Sequence, residues 1–254
     1  MKRYQFAAII PARYASKRFP GKPLALIGGK SVIRRVYEQA CKSTDIVYVA
    51  TDDKRIFDEV AGFGGKAVMT SPGHLSGTDR CAEAADTITR QTGNETDIII
   101  NIQGDEPFIK PEQIDLLKSC FISGETEIAT LVRETSPGED LFNPNQPKVI
   151  IDSKGNAIYF SRSAIPHIRD SEPAQWSHKH VFYKHVGLYA YRTDILRKIT
   201  QLPVSSLEMA ESLEQNRWLE NGFKIRTALT KWDTLGIDTP EDLKLAREYL
   251  KHLK

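Results

Sequence analysis

The chain has 254 residues, 40% of them hydrophobic and 27% charged, with 35 Lys plus Arg against 33 Asp plus Glu for a formal net charge of +2. This is the make-up of a globular protein, and its near balance argues against a general nucleic-acid binder, which carries a basic excess over a whole face. No stretch approaches the roughly 18 apolar residues of a membrane span, and the opening "MKRYQFAAIIPARY" has too short an apolar run for a signal peptide. The expectation is a cytoplasmic protein with no nucleic-acid partner and no membrane insertion.

In chain order, the apolar runs "FAAII" (6–10), "IVYVA" (46–50) and "IIINI" (98–102) read as buried strands, because they show neither polar alternation nor helical period. Helical patterns lie between them. In "SVIRRVYEQAC" (31–41), Val32, Ile33, Val36, Tyr37 and Ala40 form one stripe, and "KRIFDEVAGFG" (54–64) and "DRCAEAADTITRQ" (79–91) repeat the pattern. Strand–helix alternation predicts an α/β fold with a mostly parallel sheet. Such sheets bind ligands at the carboxyl ends of their strands, here the loops after Ile10, Ala50 and Ile102.

The later chain differs. "PKVIID" (147–152), a "SKGN" turn and "AIYFSR" (157–162) read as an antiparallel hairpin, and "HVGLYAYR" (185–192) as a further strand. "LEMAESLEQNRWLENG" (207–222) reads as one helix ending at Gly222, and "DTPEDLKLAREYL" opens a last helix with Thr239 as cap and Asp242 closing the capping box. The Pro/Asn-rich stretch 135–147 reads as a connecting loop. Cys41, Cys81 and Cys120 are odd in number with no CxxC spacing, so neither a disulfide framework nor a zinc site is indicated; all three are expected as buried reduced thiols in helices.

Four constellations could carry chemistry. The loop after the first strand, "PARYASKRFPGKPL", concentrates Arg13, Lys17, Arg18 and Lys22 among small residues that let backbone N–H groups approach an anion, yet it is neither a Walker loop nor GxGxxG. In "NIQGDEP", Asp105 follows a strand closely, placed either to hold Mg²⁺ opposite a polyphosphate or only to close a turn. Asp238 in "LGIDTPEDL" is either a second metal carboxylate or a turn residue. "HLSGTDR" (74–80) places hydroxyls and Arg80 before a helix, where anions bind.

The set "IIPARYASKRFPGKPL", "ATDD", "SGTDR", "NIQGDEP", "FNPN", "YFSRSAIP", "HVGLYAYR", "LEMAESLEQNRWLENG" and "GIDTPEDL" resembles, in order and over essentially the entire chain, the CMP-Kdo synthetases (3-deoxy-manno-octulosonate cytidylyltransferases) of Gram-negative bacteria. That resemblance implies a Rossmann-like nucleotidyltransferase core, approximately 1–134 plus 223–254, and a smaller antiparallel dimerisation lobe, approximately 135–222, in a homodimer. It implies CTP and Kdo as substrates, transfer of CMP to the anomeric hydroxyl with release of pyrophosphate, and a product for lipopolysaccharide assembly. Arg13 and Lys22 would grip the CTP phosphates, with Ser76 and Arg80 lining the nucleotide site. Asp105 and Asp238 would hold Mg²⁺, and Gln103, Arg162, His185, Tyr189, Glu211 and Gln215 would surround the sugar acid. Lys17, Phe19 and Leu235 depart from the commoner family pattern. Two rival readings are a CMP-sialic acid synthetase, whose usual loop resembles R-x-G-S-K where "RYASK" stands here, and a nucleotide-sensing module without catalysis.

Overall fold

The computed structural model describes residues 4–16, 18–136 and 138–252. Lys2 and Arg3 of the opening stretch, Lys17 of the basic loop and Pro137 of the connecting loop lie outside the described residues. Along the chain run β1 (Phe6–Ala12), β2 (Leu26–Ile27), β3 (Lys30–Ser31), α1 (Val32–Ala40), β4 (Val47–Thr51), α2 (Lys54–Gly62), β5 (Ala67–Met69), α3 (Gly77–Thr92), β6 (Ile98–Asn101) and α4 (Pro111–Ser119). There follow β7 (Ile128–Glu134), β8 (Lys148–Ile151), β9 (Ala157–Ser161), α5 (Trp176–Lys179), β10 (Tyr183–Arg192), α6 (Thr193–Ile199), α7 (Ser206–Glu211), α8 (Glu214–Glu220), β11 (Ile225–Leu229) and α9 (Pro240–His252).

Two compact units emerge. The first comprises 1–115, 190–200 and 234–254, and the second 116–189 and 201–233. This division places β7 and 223–233 with the second unit, where the sequence reading put them in the core.

In the first unit, β6, β1, β4 and β5 lie side by side, all parallel, with Ile9 facing Tyr48 on one flank and Asn101 on the other. Ala7–Ile10, Val47, Val49, Ala50 and Ile98–Ile100 are all buried, which explains their unbroken apolar runs. α1 starts at Ser31, whose hydroxyl accepts from the Arg34 N–H at 3.3 Å, and it buries Val32, Ile33, Val36 and Ala40. The β2–β3 hairpin and α9 share a cluster of Ile27, Val32, Phe108, Ile237, Leu243 and Ala246. The expected cap of α9 is present: Thr239 Oγ1 accepts from the Asp242 N–H at 3.2 Å, and the Asp242 carboxylate accepts from the Thr239 N–H at 2.8 Å.

In the second unit, β8 and β9 form the expected antiparallel hairpin, closed by Asp152 accepting from the N–H groups of Lys154 and Asn156 at 2.8 and 2.7 Å. β10 pairs antiparallel with β8, and β7 pairs in parallel with β11.

Two expectations need correction. The stretch 207–222 is not one helix: it breaks between α7 and α8 at Ser212, whose φ of 50° puts a non-glycine residue in the left-handed region. Capping explains the upstream boundary, because Ser205 and Glu208 form a reciprocal box that starts α7. The cysteines also differ from one another. Cys81 is buried in α3, whereas Cys41 is exposed at the end of α1 and Cys120 is half-buried just after α4. Burial pushes the Cys120 thiol up to about 11.

Asn216 of α8 ties that helix to β9. Its amide donates to the Phe160 carbonyl at 2.9 Å and accepts from the Phe160 N–H at 3.3 Å, fully buried. Asn216→Ala strands both backbone groups, so urea denaturation is expected to show a loss of about 1–3 kcal/mol.

Candidate active site

A cleft of about 460 Å³ in the first unit opens where β1 and β6 end. Its walls come from the basic loop after β1, the N-terminus of α3, the Gln103–Asp105 turn and Asp238. Two close backbone approaches shape it. A Cβ on Gly104 would stand 2.6 Å from the Pro11 carbonyl oxygen, so only glycine lets the turn lie against the end of β1. The Ile237 N–H donates to the Asp105 carbonyl at 2.9 Å, which carries Asp238 from the α9 cap to the side of Asp105.

The two carboxylates meet on one ammonium. Lys22 Nζ donates to Asp105 Oδ2 and, at 3.1 Å, to Asp238 Oδ1, while Arg18 reaches the other oxygen of Asp238 at 2.9 Å. Lys22, expected on phosphates, is thus held by the carboxylates themselves. Arg13 is exposed and lines the cleft. Ser76 caps α3, accepting from the Asp79 N–H at 3.1 Å, so this 16-residue helix turns its N-terminal amides to the cleft. Arg80 is 3% exposed and is bound to Asp52 at 3.0 Å and to the Thr70 hydroxyl at 2.6 Å.

The carboxylate pair suits a hard cation. Two oxygens from separate segments already sit against a single positive centre, and among the described residues no group of three or more His, Cys, Asp or Glu converges. Mg²⁺ is commonly bound in this way, by one or two carboxylates with substrate phosphates and water completing its shell.

Of the residues expected to surround the sugar acid, Gln103 belongs to the first unit and lines its cleft; the others belong to the second. There Glu211 accepts from Ser161 Oγ at 2.6 Å, the Arg162 N–H at 2.9 Å and the Tyr159 hydroxyl at 3.3 Å. The Arg162 guanidinium donates to the carbonyls of Glu211 at 2.6 Å, Pro144 at 2.9 Å and Ser212 at 3.4 Å. It therefore holds the break after α7 in place. His185 packs edge-on against Phe160 and beside Tyr189, with ring centroids 5.1 and 5.2 Å away. Its Nε2 lies 2.9 Å from Thr130 Oγ1. That hydroxyl has the Leu188 carbonyl at 2.9 Å for its own proton, so the imidazole can act as donor. Gln215 is buried, and its side-chain nitrogen has no partner among the described residues.

The sequence reading missed His74, which lines the cleft with its Nε2 against Glu83; the histidine opening "HLSGTDR" was the available signal. It also missed the ties of Arg18 to Asp238 and of Asp52 to Arg80, which join segments far apart in the chain.

These features coincide with what known proteins share. Residues 7–225 match the family described as Cytidylyltransferase. The chain belongs to that family. It is 56% identical over 251 residues to the 3-deoxy-manno-octulosonate cytidylyltransferase of Bacteroides thetaiotaomicron, covering 98% of this chain and 99% of the relative. It is 51% identical to the enzyme of the same name from Thermodesulfovibrio yellowstonii, covering 95% and 96%. Among solved structures it is similar to a CMP:2-keto-3-deoxy-manno-octonic acid synthetase complexed with CTP, with a TM-score of 0.88, 41% identity and coverage of 98% and 100%. The cytidylyltransferase thus has the mixed α/β fold expected of a nucleotidyltransferase.

Two groups in the second unit link stability to pH. Burial holds the His185 imidazole neutral down to about 3, against an ordinary 6.5. Burial pushes Glu139 up, but hydrogen bonds from Lys184 (2.7 Å), the Ser136 N–H and Arg133 outweigh it and hold the carboxyl at about 2. Both folded-state values lie below the unfolded ones, so the unfolded chain takes up the protons first and stability is lost as pH falls. The urea midpoint is expected to fall from pH 6.5 downward through His185 and further below pH 4.5 through Glu139. His185→Gln should flatten the first part only.

Proposed function

We propose that this cytidylyltransferase transfers CMP from CTP to the anomeric hydroxyl of 3-deoxy-D-manno-octulosonate (Kdo), releasing pyrophosphate. One observation carries the reading: Asp105 and Asp238 converge on Lys22 inside a cleft walled by basic side chains and a helix N-terminus. Relatives matched over nearly their whole length, all named as Kdo cytidylyltransferases, support the acceptor and do not favour the sialic acid alternative. The family match and the enzyme names of these relatives speak against a sensing module.

In this reading the α3 N-terminus and Arg13 bind the triphosphate, while Lys22 and Arg18 follow the phosphate charge. Asp105 and Asp238 hold Mg²⁺, which when bound supplies charge neutralisation at the phosphate oxygens. The acceptor hydroxyl attacks the α-phosphorus in line: its oxygen forms the new P–O bond, its proton passes to solvent, and the bond to pyrophosphate breaks. The protein's part is positioning and electrostatic stabilisation, with no covalent intermediate. Arg80 stays on Asp52 and shapes the nucleotide wall. In the second unit Arg162 orders the Glu211 carbonyl and its neighbours. A homodimer in the cytoplasm, feeding lipopolysaccharide assembly, completes the proposal. Exposed Ile158, Val204 and Met209 of the second unit are apolar surface that a second copy would cover.

A pyrophosphate-release assay with CTP tests the acceptor. Turnover with Kdo should exceed that with N-acetylneuraminate by several orders of magnitude, and comparable rates would move the assignment to the sialic acid branch.

Asp105→Asn and Asp238→Asn keep size and remove charge, so each is expected to lower turnover by roughly 10²-fold or more while the circular dichroism spectrum is kept. Lys22→Ala should weaken CTP binding roughly 10- to 150-fold in a calorimetric titration.

A further inference from the structure

The "ATDD" segment at the end of β4 is tied to both walls of the cleft, through Asp52 to Arg80 and through Asp53 and Arg55 to Tyr14. Asp52 accepts from buried Arg80, which lines one wall. Asp53 caps α2 and takes the Arg55 guanidinium in a fork, with Nε on Oδ1 at 2.9 Å and Nη2 on Oδ2 at 2.7 Å. The fork fixes the plane of that guanidinium, and its carbon sits 3.3 Å from the centroid of the Tyr14 ring. Tyr14 belongs to the basic loop, the other wall.

Tyr14 is also where that loop closes on itself. Its carbonyl accepts from the N–H groups of Ser16 at 3.0 Å and Gly21 at 2.9 Å. Gly21, at φ 74°, lies so close to the ring that a Cβ there would stand 3.0 Å from it. Arg13 precedes this closure point and Lys22 follows it directly. A stack on Tyr14 therefore sets where both cations stand.

We infer that Asp53, Arg55 and Tyr14 are positioning residues of the nucleotide site, holding the basic loop in the conformation that receives a triphosphate. The inference rests on the CTP reading above. The physical reason is the cost of order. A loop whose described residues are all exposed or half-buried, and several of them small, loses conformational freedom when it closes on a ligand, and that loss is subtracted from affinity. Anchoring one aromatic ring to the start of α2 meets part of that cost before the ligand arrives. Lysine cannot replace Arg55, since it has neither the planar face for the ring nor the fork for Asp53.

The test uses the full-length protein and four variants: Arg55→Ala, Arg55→Lys, Tyr14→Leu and Tyr14→Phe. Arg55→Ala, Arg55→Lys and Tyr14→Leu should each weaken CTP binding by roughly 3- to 30-fold. The KM for CTP should rise more than kcat falls, with the urea midpoint unchanged. Tyr14→Phe keeps the ring and should recover most of the affinity lost in Tyr14→Leu. Without any nucleotide, trypsin should cut after Arg13 and Arg18 faster in the three weakened variants, because the loop is released. Cleavage and CTP affinity unchanged in Arg55→Ala would overturn the inference, as would equal losses in Tyr14→Phe and Tyr14→Leu. Failure of the unmodified protein to bind CTP would instead sink the nucleotide reading, and the ligand-free cleavage rates would still decide the anchor.

Discussion

The Lys22 ammonium, placed between the carboxylates of Asp105 and Asp238, is the constraint on which the first unit's site depends. Two half-buried or exposed anions brought together repel each other, and bringing them together is tolerable only with a cation between. That requirement ties three distant segments to one point: the loop after β1, the turn after β6 and the cap of α9. The backbone makes the same connection independently, through the Ile237 N–H on the Asp105 carbonyl and the close seat of Gly104 on Pro11. Wherever these two carboxylates stand this close, positive charge is required between them, and Lys22 with Arg18 supplies it.

Around that point the parallel sheet works as a frame. β1, β4 and β6 each end in a loop that contributes a charged group, respectively the basic loop, Asp52 with Asp53, and Asp105. Because the strands are parallel and adjacent, the three ends emerge on one side. The charged groups then organise one another, Asp52 with Arg80 and Asp53 with Arg55, and few of them are left to solvent alone. The second unit uses polar groups differently. Glu139 with Arg133 and Lys184, and Glu211 with Ser161 and Arg162, tie loops to strands, while His185 stays neutral among aromatic rings.

Much of this was legible in the sequence. Unbroken apolar runs mark strands buried on both faces, and the stripe of α1 and the Thr239–Asp242 box are local signals whose physics lies within a few residues. The turn Asp152–Asn156 likewise marks its hairpin. What escaped notice is equally specific. β7 and β11 are separated by about ninety residues of chain yet pair in parallel, and neither carries a pattern that names the other. The break at Ser212 is invisible to periodicity, because the apolar positions of α7 and α8 read through it; three carbonyl bonds from Arg162, whose donors come from β9's end, accompany it.

From the sequence came the α/β class and, through its chain-long resemblance, the family, together with the loops and residues to inspect. Tertiary structure alone decided what those residues touch. It showed that Lys22 lies on carboxylates, that Arg162 is spent on backbone carbonyls, that Cys41 faces solvent, and that Tyr14 is stacked by an arginine forty-one positions away. The reason is range. Helix periods, caps and turns arise from interactions within one or two turns of chain, whereas ion pairs and ring stacks depend on which segments packing brings within about 4 Å. No local pattern encodes that choice.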